Sequence, residues 1–298
     1  MRFLAAFAAC SALFLSPLST EEKADRSSPA SATTARVNQG WLIQESASFR
    51  IVCRADLPEG RRLPEACEAL RKQLQDTWFG GSAGDWSPKC EIVVHPTVAG
   101  YIQQLGPASR QSSGCATVDV EKGRVVKRRV DLRADADDWL ASALPHELTH
   151  VVLAEKFTLK QIPRWADEGI AILSESASRQ AGRRAAMQRA LGRTSRYSAS
   201  ELLAIADYPV GERRDAFYGQ SASLVAYLIE RDSPARFLEF LQLGQKQGLE
   251  RALAEVYHIK SAAELDTRWR PQLLDRGQSA ELLASRIALI TSGKRQLD

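Results

Sequence analysis

The chain has 298 residues, 44% of them hydrophobic and 26% charged. That balance suits a soluble globular protein able to bury a sizeable core, as one large domain or two subdomains. A net charge of +4, from 40 basic and 36 acidic residues, is too mild to argue for nucleic acid and points to no other partner class.

Met1-Arg2 precedes an apolar stretch from Phe3 to Leu18 and a polar exit at Ser19-Thr20-Glu21, the order of a secretory signal. With Pro17 near its end, the run falls short of the ~20 residues that comfortably span a bilayer. Residues 1–20 are therefore expected to be a signal peptide or, as the second reading, a retained anchor that associates with membrane. Either way the protein is expected to be exported, to a periplasm, a cell envelope or the exterior. Cleavage would remove Cys10 and leave Cys53, Cys67, Cys90 and Cys115. An even number in an exported chain reads as two disulfides, with the pairing undecided by sequence.

Residues 21–39 are rich in Ser, Ala, Thr and charge without periodicity, and read as a disordered leader. Folded structure is expected near Trp41, in a domain over 40–293. Strands are expected at Ser48 to Cys53 and Cys90 to His95, with an amphipathic helix at Leu63 to Trp78 between them. A short helix follows at Thr97 to Leu105. Gly114 to Val120 and Arg124 to Leu132 read as strands around a turn at Glu121-Lys122-Gly123. Another helix begins near Asp137, with a kink expected at Pro145. Beyond Pro163 the pattern is helical: Arg164 to Ser178, Arg183 to Leu191, Glu201 to Ile205, Arg214 to Ile229, Pro234 to Leu243, Leu249 to Tyr257, Ser261 to Leu274 and Ala280 to Ile290. Ser198 with Glu201, and Ser261 with Glu264, have capping-box spacing. The fold class is thus α+β, a mixed α/β half over 40–158 followed by an all-helical half over 159–293.

At the join stands Leu144-Pro145-His146-Glu147-Leu148-Thr149-His150, a complete H-E-x-x-H. On a helix, His146 and His150 project from one face and can bind one Zn²⁺, while Glu147 beside them can take a proton from zinc-bound water. Leu148, Val151 and Val152 give that helix an apolar side to bury. The chain has only four histidines, so two of them at ligand spacing around a glutamate carry weight. A third ligand is sought in Pro163-Arg164-Trp165-Ala166-Asp167-Glu168-Gly169. Two His and one Glu would leave a position open for water, the arrangement of a catalytic site. Chemistry alone admits Asp167 as well as Glu168; position favours Glu168.

These two segments, H-E-L-T-H at 146–150 and W-x-x-E-G-x-A at 165–171, resemble the gluzincin metallopeptidases and, more nearly, the exported bacterial proteins called peptidase MA-like; the likeness to aminopeptidase N is more distant. The resemblance implies a zincin-like fold with His146, His150 and Glu168 as zinc ligands and Glu147 as catalytic base. Tyr218 to Leu228 is similar to the family's Y-x-x-x-A-x-x-V-x-x-L helix, which implies that Tyr218 donates to the oxyanion of the tetrahedral intermediate. Tyr227 reads as core. Together with Glu264-Leu265 and Trp269-Arg270, the matches span roughly Asp137 to Leu274. The G-x-M-E-N strand that holds the substrate amino group in aminopeptidase N-like enzymes has no counterpart between Gly114 and Asp135, so endopeptidase is preferred over exopeptidase. Arg124 to Leu132 is a candidate cleft edge for a peptide to join, or a charged edge strand that resists aggregation.

His95 and His258 read as structural or surface residues. The arginines at 179, 183, 184, 189, 193 and 196 read as a solvated face. Arg164 is placed near Glu168 or on the surface, and Asp167 and Glu175 are candidates to orient a ligand histidine through its second nitrogen. The expected function is zinc-dependent hydrolysis of peptide or protein substrates. The alternative is a zinc-stabilised peptide-binding or assembly module of the cell envelope without turnover.

Overall fold

Alternation builds the sheet. In β4 (Phe49–Arg54), Phe49, Ile51 and Cys53 are buried while Arg50, Val52 and Arg54 are half-buried, the two-residue period of a strand with one face on the core. The other strands are β1 (Arg2–Ala5), β2 (Thr34–Asn38), β3 (Trp41–Glu45), β5 (Cys90–His95), β6 (Gly114–Glu121) and β7 (Arg124–Arg133). They form one mixed sheet in the order β1-β6-β7-β5-β4-β3-β2. The pairs β4–β5 and β5–β7 are parallel and the rest antiparallel. This computed structural model describes residues 2–5, 33–81, 84–191, 196–211 and 213–274.

Ten α-helices accompany the sheet among the described residues: α1 (Leu63–Phe79), α2 (Val98–Leu105), α3 (Leu144–Lys156), α4 (Arg164–Leu173), α5 (Ala177–Leu191), α6 (Ala199–Leu203), α7 (Arg213–Glu230), α8 (Pro234–Gln247), α9 (Leu249–Tyr257) and α10 (Ala262–Leu274). The α+β class holds, with the strands in the first half of the chain and seven consecutive helices from α4 onward. Helix α3 packs on β6, β7 and α1, and also on α4. No described helix is long and apolar enough to cross a membrane.

The Ser198–Glu201 capping box forms in full at α6. Several boundaries differ for physical reasons. The expected leader ends earlier than position 39, because β2 pairs with β3 through a turn in which Gln39 and Gly40 both take positive φ, 48° and 76°, the two-residue hairpin geometry. Its residues are all exposed, so no apolar pattern announces the strand. Pro145 does not kink its helix: it lies in the first turn of α3, where the missing N–H would have had no intrahelical partner. The irregularity lies upstream, in a π-helical turn at Trp139–Ala143 entered through Asp138 with φ 58°. The single helix expected over Arg164 to Ser178 stops at Leu173, and α5 starts six residues before the expected Arg183. Ala280 to Ile290 and most of the 1–20 segment lie outside the described residues; of that segment, Arg2–Ala5 pairs antiparallel with β6.

Two expectations are corrected outright. Strand β7 is not an edge, since it is hydrogen-bonded to β6 on one side and β5 on the other; its basic side chains find partners within the fold, Arg129 with Asp131 and Glu91, and Arg128 with Glu155. The expected disulfides are also absent: Cys53, Cys67, Cys90 and Cys115 are buried free thiols. Cys90 is level with Phe49, which sets it four residues along the sheet from Cys53, roughly 13 Å and beyond disulfide reach. Burial pushes up the pKa of Cys53, Cys67 and Cys90, so they pack as small apolar side chains.

Candidate metal centre

Helix α3 is buried from Leu144 to Ala154 and α4 from Trp165 to Leu173. Both owe this to sequence: neither has a polar face wide enough for solvent, and Gly169 lets α7 come close. A Cβ there would lie 2.5 Å from Val225 Cγ2 and 2.6 Å from the Ser221 carbonyl oxygen. The two helices hold His146, His150 and Glu168 so that one ligand atom from each lies within 4.8 Å of the others. The imidazoles stand edge to face with centroids 5.0 Å apart, as four-residue helical spacing requires. Glu168 Oε2 is 3.4 Å from His146 Nε2.

Each histidine is steered from behind. His146 Nδ1 lies 2.8 Å from Glu175 Oε1, and His150 Nδ1 lies 2.9 Å from Asp167 Oδ1. These contacts leave both Nε2 atoms for the shared centre. His150 Nε2 and Glu147 Oε2 are buried without a hydrogen-bond partner among the described residues, an unusual state for polar atoms unless something else satisfies them, whereas His146 Nδ1, also outside hydrogen-bonding geometry, has the Glu175 carboxylate as its ion-pair neighbour. The donor set of two imidazoles and a carboxylate, with carboxylate-backed histidines, fits Zn²⁺.

The charges reinforce this geometry. Burial opposes protonation of His146, but the Glu168 and Glu175 carboxylates beside it win and carry its pKa to about 10. For His150, burial is likewise outweighed by Asp167. Glu168 and Glu175 are both held down to about 2 despite burial, chiefly by the neighbouring His146. Glu147 behaves oppositely. Its own burial raises its pKa, against the pull of the two histidines and a backbone hydrogen bond at Ala116.

A cleft of about 520 Å³ opens onto His146, Glu147 and Glu168, and Tyr218 and Arg214 also line it. Tyr218 therefore shares the cleft with the H-E-x-x-H residues, its ring flanked by the guanidiniums of Arg183 at 5.3 Å and Arg214 at 5.9 Å. Burial raises its pKa, so it stays a protonated donor. Tyr227 is buried in the core beside Arg231. The basic run is not simply a solvated face: Arg183 grips both oxygens of Glu175, Arg196 pairs with Asp266, and Arg179 lines the cleft. Arg193 lies outside the described residues. His95 is buried against Asp131 at 2.7 Å, while His258 is an exposed αL residue ending α9.

Two participants escape sequence reasoning. Tyr208, in the loop between α6 and α7, donates to Glu168 Oε1 at 2.7 Å; loops carry no periodicity to flag such a residue. Gly114, at the start of β6, lies against Glu147, and a lone glycine opening a strand announces no such contact.

Two buried imidazoles and a carboxylate converging beside a second carboxylate, at the foot of a cleft in an α+β chain, define a metallopeptidase-like protein. The sequence model of the Peptidase MA superfamily matches residues 126–275, and the chain belongs to that superfamily. The matched span runs from β7 through α10 and so contains the three candidate ligands, Glu147, Asp167, Glu175, Tyr208 and Tyr218, but not Gly114 or Ala116. No curated protein matches the chain.

Proposed function

We propose that this chain is an exported, zinc-dependent peptidase of the gluzincin type that cleaves within peptide or protein substrates. The observation that carries the proposal is the convergence of His146, His150 and Glu168 within 4.8 Å next to a buried Glu147 whose Oε2 has no partner. His146, His150 and Glu168 would hold the zinc. When bound, zinc supplies Lewis-acid polarisation of the scissile carbonyl and of water.

The protein's own part is positional and protonic. Glu147, its proton affinity raised by burial, takes a proton from the attacking water and returns it to the leaving amine. Tyr218 donates its phenolic hydrogen to the oxygen on which charge develops. Asp167 and Glu175 hold the imidazoles in one orientation, so that neither must reorganise during turnover. Export rests on the order of residues in the 1–20 segment, and endopeptidase on the lack of a G-x-M-E-N strand.

The test pairs two measurements on purified protein: zinc per chain in wild type and His150→Ala, and cleavage of a mixed peptide library by wild type and Glu147→Gln. Stoichiometric zinc that His150→Ala loses, with hydrolysis reduced about 10²–10⁴-fold in Glu147→Gln, is the expected result. Zinc binding with no cleavage of any peptide by wild type would favour a binding module. Absence of zinc would overturn the metal assignment.

A further inference from the structure

We propose that Tyr208 is a positioning residue that restricts Glu168 to presenting a single oxygen, Oε2, to the metal; this rests on the zinc reading above. Glu168 is buried, with 1% of its surface exposed, and its two oxygens face different ways. Oε2 looks toward His146 Nε2 at 3.4 Å, inside the centre. Oε1 is turned away and accepts the Tyr208 hydroxyl at 2.7 Å. A carboxylate can bind a metal through one oxygen or both, and a hydrogen bond from a fixed donor occupies one lone pair of its acceptor and turns that oxygen toward the donor, which favours binding through the other oxygen.

The phenol is held by more than that bond. Arg164, the first residue of the helix that carries Glu168, lays its guanidinium 4.5 Å over the Tyr208 ring and donates from Nε to the Ala206 carbonyl at 2.5 Å. The ring also meets Phe217 edge to face at 6.2 Å, and Phe217 in turn meets Tyr218 at 5.3 Å. One helix, α4, therefore supplies both the carboxylate and the clamp on the tyrosine that turns it. A ring held by two neighbours gives a hydroxyl of restricted position. That is what distinguishes an orienting contact from a tyrosine that has found a convenient acceptor. The consequence is a centre with three protein donor atoms and room for water and substrate, rather than one crowded by a bidentate carboxylate.

Tyr208→Phe removes the hydrogen bond and keeps the ring. Zinc affinity, read by competition with a chromogenic chelator, is expected to fall 10–100-fold. In protein loaded with Co²⁺, the visible absorption band is expected to weaken, because the released Oε1 can join the metal and raise the coordination number. Arg164→Met, which loosens the clamp but leaves the phenol, should shift both readouts in the same direction by less. Thermal unfolding of the metal-free variants checks that the fold is intact. Unchanged zinc affinity and an unchanged cobalt spectrum in a folded Tyr208→Phe protein would overturn this inference while leaving the zinc reading in place. Failure of the wild type to bind zinc would overturn both.

Discussion

Gly114 lies so close to Glu147 that a Cβ at this position would stand 2.7 Å from Glu147 Cγ and 3.0 Å from its Oε1. The first residue of β6 thus sets where the proposed base sits, and Leu132 Cδ2 at 3.1 Å closes the space on the other side. Gly114→Ala must push the glutamate aside. A displacement on the order of 1 Å at a reacting group can cost about 10²-fold in rate. The expected outcome is a loss of that size in peptide hydrolysis with zinc content unchanged, because the atoms a Cβ would meet first belong to Glu147 and Leu132 and not to the three candidate ligands. Full activity in the alanine variant would show that Glu147 has freedom the packing denies it.

Tyr218→Phe separates oxyanion support from packing. The ring keeps its place beside Phe217 and between the two arginines, and only the donor is lost. Turnover is expected to fall about 10²–10³-fold with KM nearly constant, since the interaction develops in the transition state. A change confined to KM would make Tyr218 a substrate contact instead.

The share of this site legible in sequence follows the regularity of each element. His146, Glu147 and His150 are fixed relative to one another by helical geometry, and Glu168 follows from the next helix, so all four could be named from spacing and resemblance. Asp167 and Glu175 lie within a few residues of Glu168 and were within reach as orienting groups. Tyr208 is 40 residues from Glu168 and sits in a loop, where no period connects the two. The edge status of β7 was misread for a related reason: a run of Arg and Lys looks solvated, but strand order depends on which hydrogen-bonding edges meet, and β6 and β5 claim both sides. The cysteines were misread by counting, because parity says nothing of which thiols the fold joins.

The coupled ionisations predict a sign for pH. In metal-free protein the pKa of His146 is raised from an ordinary 6.5 to about 10. Its contribution to stability is fully present below 6.5 and is lost as pH rises through 10. Glu168 and Glu175 are lowered from 4.5 to about 2. Their contribution is present above 4.5 and is lost as pH falls through 2. Stability of the metal-free chain, followed by urea unfolding, should therefore decline on both sides of a plateau near pH 4.5–6.5 as far as these groups decide it. Zinc must displace the His146 proton, so its affinity should climb between pH 6.5 and 10. Affinity that is flat over that interval would contradict the raised pKa.

Gly169 carries the last prediction, because it sits where the ligand helix lies directly against α7. With α4 and α7 this close, an added methyl meets not only Val225 Cγ2 but the Ser221 carbonyl, 2.6 Å away, and a backbone oxygen cannot step aside as a side-chain tip can. Overpacking of this kind typically costs about 1–3 kcal/mol, so Gly169→Ala should lower the Tm of the metal-free protein. Because Glu168 is the preceding residue, any shift of α4 that relieves the clash also moves a ligand, and zinc affinity should fall with stability. Gly114→Ala should instead spare the metal and reduce the rate. If Gly169→Ala weakened folding but bound zinc as tightly as wild type, α4 would have to yield without moving Glu168, and the rigid coupling between these two helices would be refuted.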